Sequence, residues 1–140
     1  MGATTLAAVT TILVATDADW VFNEVAASVS DADTHVERVR AGAEVLGAVH
    51  ELDPDLIVLD LQIGNMGGMA TCLQLHGEDG AGRIAVGPIL MLLDRAADVF
   101  LARRSEADGW LVKPLDGFRI RRAVDALLDG GTWHESALAG

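Results

Sequence analysis

Three charged side chains stand at the ends of apolar stretches that lie far apart in this 140-residue sequence. They are the carboxylates of Asp17 and Asp60 and the ammonium group of Lys113, which is the only lysine in the chain. Two carboxylates and one ammonium group, once brought together, can hold a divalent cation, an acyl phosphate and its counter-charge. This chemistry requires a fold that brings these three side chains, which are far apart in the sequence, close together in space.

The apolar stretches before these residues are short and continuous, which is typical of strands buried on both faces of a parallel sheet. Stretches with helical periodicity separate them. The pattern predicts five strands, Thr11–Thr16, Thr34–Val39, Leu56–Asp60, Ile89–Leu93 and Gly109–Val112. It predicts five helices, Trp20–Ser30, Ala43–Leu52, Met69–His76, Ala96–Glu106 and Phe118–Leu128. Asp19 and Asp116 are the predicted caps of the first and fifth helices, and Gly77–Gly87 is a predicted loop.

This alternation of strands and helices predicts a doubly wound α/β domain with parallel strands and right-handed crossovers. The carboxyl ends of parallel strands meet at one edge of the sheet, where open α/β sheets bind ligands. The three charged side chains should therefore share this edge. We expect one domain over residues 11–129, a lead-in over residues 1–10, and a short tail over residues 130–140 with no output domain.

The composition argues against several classes of function. A formal net charge of −11 disfavours non-specific binding to nucleic acid or to an anionic membrane surface. The single cysteine, Cys72, allows no intramolecular disulfide and makes a cysteine-based zinc site improbable. No apolar segment reaches the roughly 18 residues needed to span a bilayer, and no basic region precedes an apolar stretch at the N-terminus. A cytoplasmic protein is expected.

Two segments carry a resemblance to a known family. They are Pro54–Leu61, with the sequence PDLIVLDL, and Ala107–Leu115, with the sequence ADGWLVKPL. In this order and at this separation, they resemble the receiver domain of two-component response regulators. The resemblance implies a flavodoxin-like fold with the strand order 2-1-3-4-5. It also implies a function in phosphorelay signal transduction.

The resemblance assigns a role to each residue of the expected site. Asp60 is implied to be the phosphoacceptor, with a phosphohistidine of a sensor histidine kinase or phosphotransfer protein as the donor. Mg²⁺ would be held by Asp17, Asp60 and the backbone carbonyl of Gln62. Lys113 would contact a phosphoryl oxygen, and a cis peptide bond before Pro114 would aim its ammonium group. The domain would phosphorylate itself from the donor without being an enzyme in the usual sense.

Five positions depart from the usual pattern of that family. Thr16 stands where most relatives carry a second acid, so weaker binding of Mg²⁺ is expected. Leu93 stands where a Ser or Thr usually contacts the phosphoryl group, and Asp94 adds negative charge that opposes phosphorylation unless its side chain points away. Trp110 replaces the aromatic residue whose rotamer normally reports the switch, and we expect it to stay fixed. Gly64 replaces a common proline and should free its loop. An atypical, stand-alone receiver is expected.

Two versions of this function stay open. In one version Asp60 accepts phosphate and the signal leaves by a nonstandard route. In the other, the domain is a pseudo-receiver that binds a partner independently of phosphorylation. In both versions the downstream partner is an unknown protein, and the surface of the fourth helix, fifth strand and fifth helix is a candidate homodimer interface.

A phosphatase is the rival interpretation. The sequence DAD at residues 17–19 resembles the nucleophile motif of haloacid-dehalogenase-type phosphatases, and Asp94 with Asp98 resembles their late acidic motif. In those enzymes the lysine precedes the acidic motif, whereas Lys113 follows it here. A dedicated substrate cap is also missing, so the receiver interpretation is preferred.

Overall fold

The computed structural model describes residues 9–135, which are built on a parallel β-sheet with helices on both faces. The strands in this range are β1 (Thr10–Ala15), β2 (Thr34–Val39), β3 (Leu56–Asp60), β4 (Ile89–Leu93), β5 (Gly109–Val112) and β6 (Trp133–His134). The helices are α1 (Asp19–Val29), α2 (Val45–Leu52), α3 (Gly68–Gly80), α4 (Val99–Arg104) and α5 (Gly117–Leu128). Short 3₁₀ turns precede α2 and α4, at Gly42–Glu44 and Ala96–Asp98.

The strands lie in the order β2-β1-β3-β4-β5-β6, and every neighbouring pair is parallel. This order confirms the predicted flavodoxin-like fold, with β6 added beyond β5. Both β3 and β4 are buried along their whole length because helices cover both faces of the sheet. Their residues are aliphatic apart from a methionine in β4 and Asp60, which ends β3.

Aliphatic side chains form a core on each face of the sheet. Helices α2, α3 and α4 cover one face, where Val49, Leu75 and Ala102 are almost fully buried. Helices α1 and α5 cover the other face through residues such as Val25 and Ile120. Full burial of an aliphatic side chain contributes about 1.5–3 kcal/mol. The two cores therefore hold the strands in register and fix the edge at which they end.

The register of the strands aligns their carboxyl ends. Ala15 of β1 lies beside Leu59 of β3. Leu93 of β4 lies beside Val112 of β5. The residues that follow these positions, Asp60 among them, therefore lie along one edge of the sheet.

Helix α3 is longer than the sequence pattern predicted. The prediction ended it at His76 and made Gly77–Gly87 a loop, whereas the helix continues to Gly80. A glycine inside a helix costs only about 1 kcal/mol relative to alanine. The additional turn is secured by a backbone hydrogen bond and a side-chain ion pair, both between Arg83 and Glu78.

The second and fourth helices begin later than predicted, because the first turn of each is 3₁₀ in geometry. The predictions were Ala43–Leu52 and Ala96–Glu106. The fourth helix also ends early, at Arg104, because Glu106 adopts a left-handed conformation with φ of 60°.

One of the two predicted helix caps is present. Asp116 precedes α5 and accepts a hydrogen bond from the backbone N–H of Arg119, as predicted. Asp19 is instead the first residue of α1 and makes no capping hydrogen bond. Its carboxylate pairs with Arg38 and Arg40 from the end of β2 and the turn after it.

The sequence did not predict β6, which lies in the tail expected over residues 130–140. Trp133 pairs with Gly109 of β5, and His134 pairs with Trp110. A strand of two residues has too little periodicity to be recognised from sequence. Because β6 pairs with β5, it covers the outer edge of β5.

Parts of the expected lead-in and tail lie outside the described residues, namely residues 1–8 and 136–140. Thr10, the last residue of the expected lead-in, already belongs to β1. Between residues 9 and 135, no helix has the length and apolar character needed to cross a membrane.

Candidate functional site

Asp60 and Lys113 form an ion pair at the carboxyl edge of the sheet. Lys113 Nζ lies 2.9 Å from Asp60 Oδ1, and the exposed fractions of the two side chains are 14% and 2%. A buried carboxylate needs a partner charge and hydrogen bonds to offset its lost solvation. The fold thus brings these two predicted site residues into direct contact.

Asp94 is a second anionic partner of Lys113. Lys113 Nζ lies 2.6 Å from Asp94 Oδ1, so one ammonium group bridges two carboxylates. Burial acts to lower the pKa of Lys113, but the hydrogen bonds to Asp94 and Asp60 outweigh it and raise the pKa above its usual value. Asp94 therefore does not point away from the site. Asp94 competes with Asp60, and with any anion bound there, for the ammonium group of Lys113.

Thr16 fixes the other oxygen of Asp60. Its side chain is fully buried, and its hydroxyl donates a hydrogen bond of 2.7 Å to Asp60 Oδ2. The backbone N–H of Ala18 donates to the same hydroxyl oxygen over 3.1 Å. The backbone N–H of Gln62 donates to Asp60 Oδ1 over 3.2 Å. Both oxygens of Asp60 are therefore held in place.

Asp17 lies beside the loop that follows β3. Its Oδ2 accepts a hydrogen bond of 3.0 Å from the backbone N–H of Gly64, and the Gly64 carbonyl accepts one of 3.0 Å from Gly42. Gly42 allows this close approach, because a Cβ there would lie 1.7 Å from the carbonyl oxygen of Met66. A proline in place of Gly64 would lack the N–H that holds Asp17. This loop is anchored where the sequence suggested freedom.

The oxygen atoms of Asp17, Asp60 and Gln62 are of the kind that a hard divalent cation prefers. Within residues 9–135, no three side chains of His, Cys, Asp or Glu form a group that could hold a metal ion by themselves. A cation at this edge would therefore depend on two carboxylates, a backbone carbonyl and water. The donor set fits Mg²⁺ in kind, with Thr16 in place of the second acid that most relatives carry.

Comparison with known proteins decides the family. The family model of the response regulator receiver domain matches residues 12–125, a range that contains the whole site described above. The chain belongs to this family. Receiver domains are signalling modules of two-component systems and are not classical enzymes.

Curated relatives of this receiver domain are longer proteins. The DNA-binding response regulator MtrA of Mycobacterium tuberculosis is 39% identical over 89 residues, which make up 62% of this chain and 36% of MtrA. The nitrate/nitrite response regulator protein NarL of Escherichia coli is 32% identical over 91 residues, or 65% of this chain and 41% of NarL. The chain thus spans well under half the length of these relatives.

Solved structures of receiver domains share the fold. The chemotaxis response regulator CheY4 of Vibrio cholerae superposes with a TM-score of 0.73 at 22% identity, covering 85% of this chain and 98% of CheY4. The signal receiver domain of a histidine kinase from Syntrophus aciditrophicus superposes with a TM-score of 0.74 at 26% identity, covering 86% of this chain and 91% of that one. At such low identity, CheY4 supports the fold alone.

Leu93 and Trp110, the positions to which the resemblance assigns the switch, are buried. Leu93 is fully buried at the end of β4 and offers no hydrogen-bond donor toward the edge. The side chain of Trp110 lies inside, with 2% of the residue exposed. The site therefore lacks the hydroxyl through which the resemblance implies that phosphorylation is sensed.

The C-terminal strand β6 holds Trp110 in this inward position. The indole Nε1–H donates a hydrogen bond of 3.0 Å to the backbone carbonyl of Glu135. The ring stacks on His134 with centroids 4.0 Å apart and planes 6° apart, and the Arg103 guanidinium lies 5.6 Å from the Trp110 ring centroid. Outward rotation of Trp110 therefore requires movement of β6.

An ion pair between Arg119 and Glu135 clamps β6 to the domain. Arg119 Nη2 lies 2.5 Å from Glu135 Oε1, Arg119 Nε lies 2.8 Å from Oε2, and the Val112 N–H donates to Oε1 over 2.8 Å. Burial acts to raise the pKa of Glu135, but the hydrogen bonds from Arg119 and Val112 outweigh it and lower the pKa. No sequence pattern marked this pair, since Arg119 resembled the other surface arginines of its helix.

Sequence reasoning also missed Trp20 at the mouth of the site. The second residue of α1, it is 55% exposed, and Lys113 Nζ lies 5.7 Å from its ring centroid. No sequence signal could have marked this contact, because it joins the start of α1 to the end of β5. The Lys113–Pro114 peptide bond is cis, as the resemblance implied.

Two of the four acids of the rival phosphatase interpretation, Asp19 and Asp98, pair with arginines away from Asp60 and Lys113. Asp19 pairs with Arg38 and Arg40 at 2.8 and 3.0 Å. Asp98 is buried and pairs with Arg95 at 3.2 Å.

A cavity of about 610 Å³ lies beside β6 and the start of α5, and neither Asp60 nor Lys113 lines it.

Proposed function

We propose that this receiver domain accepts a phosphoryl group on Asp60 and passes the signal on through contacts with other proteins. The observation that carries the proposal is the 2.9 Å contact between Lys113 Nζ and Asp60 Oδ1. An otherwise buried carboxylate here faces the only lysine of a chain whose net charge is −11. Such an arrangement concentrates positive charge where two anions must meet.

The proposed reaction is an in-line displacement at phosphorus. An oxygen of Asp60 attacks the phosphorus of a phosphohistidine, the P–N bond breaks, and its electron pair stays on the imidazole, which takes up a proton. The product is an aspartyl phosphate. Lys113 would pair with a phosphoryl oxygen, and the backbone N–H of Gln62, which is 3.2 Å from Asp60 Oδ1, would add a second donor.

Mg²⁺ is the proposed cofactor. Asp17, Asp60 and the backbone carbonyl of Gln62 would hold it, and when bound it offsets the charge of the donor and the acceptor. We propose weaker binding than a pair of adjacent acids would give, because Thr16 donates a hydrogen bond to Asp60 where an acid would attract the cation.

A phosphorylation-independent pseudo-receiver is the second candidate, and one contact favours it. The 2.6 Å contact between Asp94 Oδ1 and Lys113 Nζ already neutralises the ammonium group from inside the protein. Leu93 adds no donor for a phosphoryl group. In this version the domain would bind its partner in one fixed conformation.

The proposed partner surface lies on α4, β6 and α5. Phe100 and Phe118 are 56% and 70% exposed, and the Arg122 guanidinium lies 5.4 Å from the Phe118 ring centroid. Exposed aromatic rings beside arginines are enriched in protein interfaces. A homodimer through these helices would also have to pack on β6, which covers the outer edge of β5. In sedimentation velocity we expect a dimer that Phe118→Ser dissociates, whereas a monomeric wild type would contradict the homodimer.

Intact-mass analysis tests phosphorylation. The protein is incubated with a small-molecule phosphodonor and Mg²⁺, and its mass is compared with that of Asp60→Asn. We expect one base-labile phosphate on the wild type and none on the variant. A wild-type protein that gains no phosphate would exclude phosphorylation and leave the pseudo-receiver.

A further inference from the structure

Thr16 occupies the position of a lost acid, but its surroundings give it a different task. Its backbone N–H donates to Val39 O over 3.1 Å, and its carbonyl accepts a hydrogen bond of 3.1 Å from Arg38 Nε. Its hydroxyl oxygen accepts the N–H of Ala18, so the hydroxyl hydrogen is directed at Asp60 Oδ2, 2.7 Å away. The side chain is fully buried, so water does not compete for this hydrogen bond.

We infer that Thr16 is a positioning residue that shortens the lifetime of the phosphorylated state by stabilising the free Asp60 carboxylate. The inference rests on the proposed function. A hydroxyl hydrogen bond to an ionised carboxylate is roughly twice as strong as one to a neutral acceptor. In the acyl phosphate, the Asp60 oxygen beside Thr16 belongs to a neutral acyl group. Thr16 therefore favours the dephosphorylated form.

Thr16 also lowers the barrier for hydrolysis of the acyl phosphate. Water attacks phosphorus, the bond between phosphorus and the Asp60 oxygen breaks, and its electron pair returns to the carboxylate. Inorganic phosphate leaves with the oxygen of the water. Negative charge grows on Asp60 as this bond breaks, and the Thr16 hydroxyl stabilises that charge. An acid at this position would instead repel it.

Thr16→Val tests the inference, because valine keeps the shape and removes the donor. The adduct is formed with a small-molecule phosphodonor and Mg²⁺, the donor is removed, and the loss of phosphate is followed by intact mass. We expect a half-life about five- to tenfold longer than that of the wild type, as the loss of roughly one charge-assisted hydrogen bond implies. Thr16→Ser restores the hydroxyl and should restore a half-life close to that of the wild type.

Thr71→Val is the matched control. Thr71 is also fully buried, but its hydroxyl donates to the Met66 carbonyl over 3.2 Å and does not contact Asp60. Thermal melts of all variants show whether they fold. A Thr16→Val half-life equal to that of the wild type, or a Thr16→Ser half-life equal to that of Thr16→Val, would overturn the inference and leave the proposed function intact. Absence of any adduct on the wild type would overturn both.

Discussion

At the scale of single residues, the site has one ammonium group shared between two carboxylates. Lys113 is the one lysine, and both Asp60 and Asp94 compete for it at 2.9 and 2.6 Å. Under the proposed function, an arriving phosphoryl group competes with Asp94 for the Lys113 ammonium group. Asp94 is therefore an internal competitor of the phosphoryl group.

Removing this competitor should speed phosphorylation. Asp94→Asn keeps the size of the side chain and removes its charge, so Lys113 becomes available to the incoming anion. A partly exposed ion pair contributes up to about 1 kcal/mol, which corresponds to a roughly fivefold higher rate of adduct formation. The rate is measured by intact mass under a fixed concentration of phosphodonor.

The control for this change is Asp125→Asn, which neutralises an exposed acid that pairs with Arg121 on α5. It should leave the rate unchanged. A rate for Asp94→Asn at or below that of the wild type would show that Asp94 does not compete for Lys113.

The sequence predicted which residues stand at the edge but not how their side chains interact. Asp17, Asp60 and Lys113 could be placed because each follows an apolar run, and parallel strands end together. The hydrogen bond of Thr16 and the orientation of Asp94 could not be placed. Both depend on the turns directly after β1 and β4, where no periodicity constrains the backbone.

At the scale of elements, β6 is the feature that distinguishes this chain from the expected five-stranded sheet. It pairs with β5, stacks His134 on Trp110, and is clamped by Arg119 and Glu135. A strand of two residues that pairs with only one neighbour is weakly held by its backbone hydrogen bonds alone. The ion pair between Arg119 and Glu135 therefore contributes much of the energy that holds β6 against β5.

Glu135→Gln should loosen β6 in a pH-dependent way. The pKa of Glu135 is lowered in the folded protein from its usual 4.5. The ion pair thus stabilises the fold above that usual value, and the stabilisation is lost as the pH falls through the folded pKa. We expect the variant to lose about 1–2 kcal/mol of unfolding free energy at neutral pH. Urea titrations should show this difference shrinking as the pH falls below 4.5 and through the lowered pKa of the folded protein.

Glu51→Gln, at an exposed position on α2, serves as the control. It should change the free energy of unfolding little, both at neutral pH and at acidic pH. Equal stability of Glu135→Gln and the wild type at neutral pH would argue against the clamp. A difference that does not depend on pH would argue against its ionic nature.

Most strands could be predicted from sequence, whereas some helix ends and β6 could not. The bounds of β2 to β5 match the prediction. For β3, β4 and β5 this is because buried parallel strands are short apolar runs with polar neighbours, whereas β2 is more exposed and alternates valines with charged residues. Helix α3 passes through Gly77, a residue that the pattern treated as a stop. The strand β6 is held by a pair distant in sequence, Arg119 and Glu135, which local patterns do not report.

At the scale of the whole molecule, the route that the resemblance implies from Asp60 to the far surface is interrupted twice. Leu93 offers no donor to a phosphoryl group, and Trp110 is held inward by β6. Under the proposed function, two structural routes for a signal from Asp60 are release of β6 and movement of the loop that Asp17 holds at Gly64.

Phosphorylation should therefore change the fluorescence of Trp110 little. Trp20→Phe with Trp133→Phe leaves Trp110 as the only tryptophan of the three in the chain. We expect its emission to stay nearly constant when phosphate is added. Adding Leu93→Thr and Glu135→Gln supplies the donor and releases the clamp, and a clear shift should then appear. A large shift without these two changes would refute the locked position of Trp110.

The most direct test of the central claim identifies the phosphorylated residue itself. Borohydride reduces an acyl phosphate to an alcohol, which marks the modified aspartate in peptides separated after proteolysis. Treatment of the phosphorylated protein should convert Asp60, and no other aspartate, to homoserine. Conversion of Asp17 or Asp94 in its place, or of no residue at all, would contradict phosphorylation at Asp60.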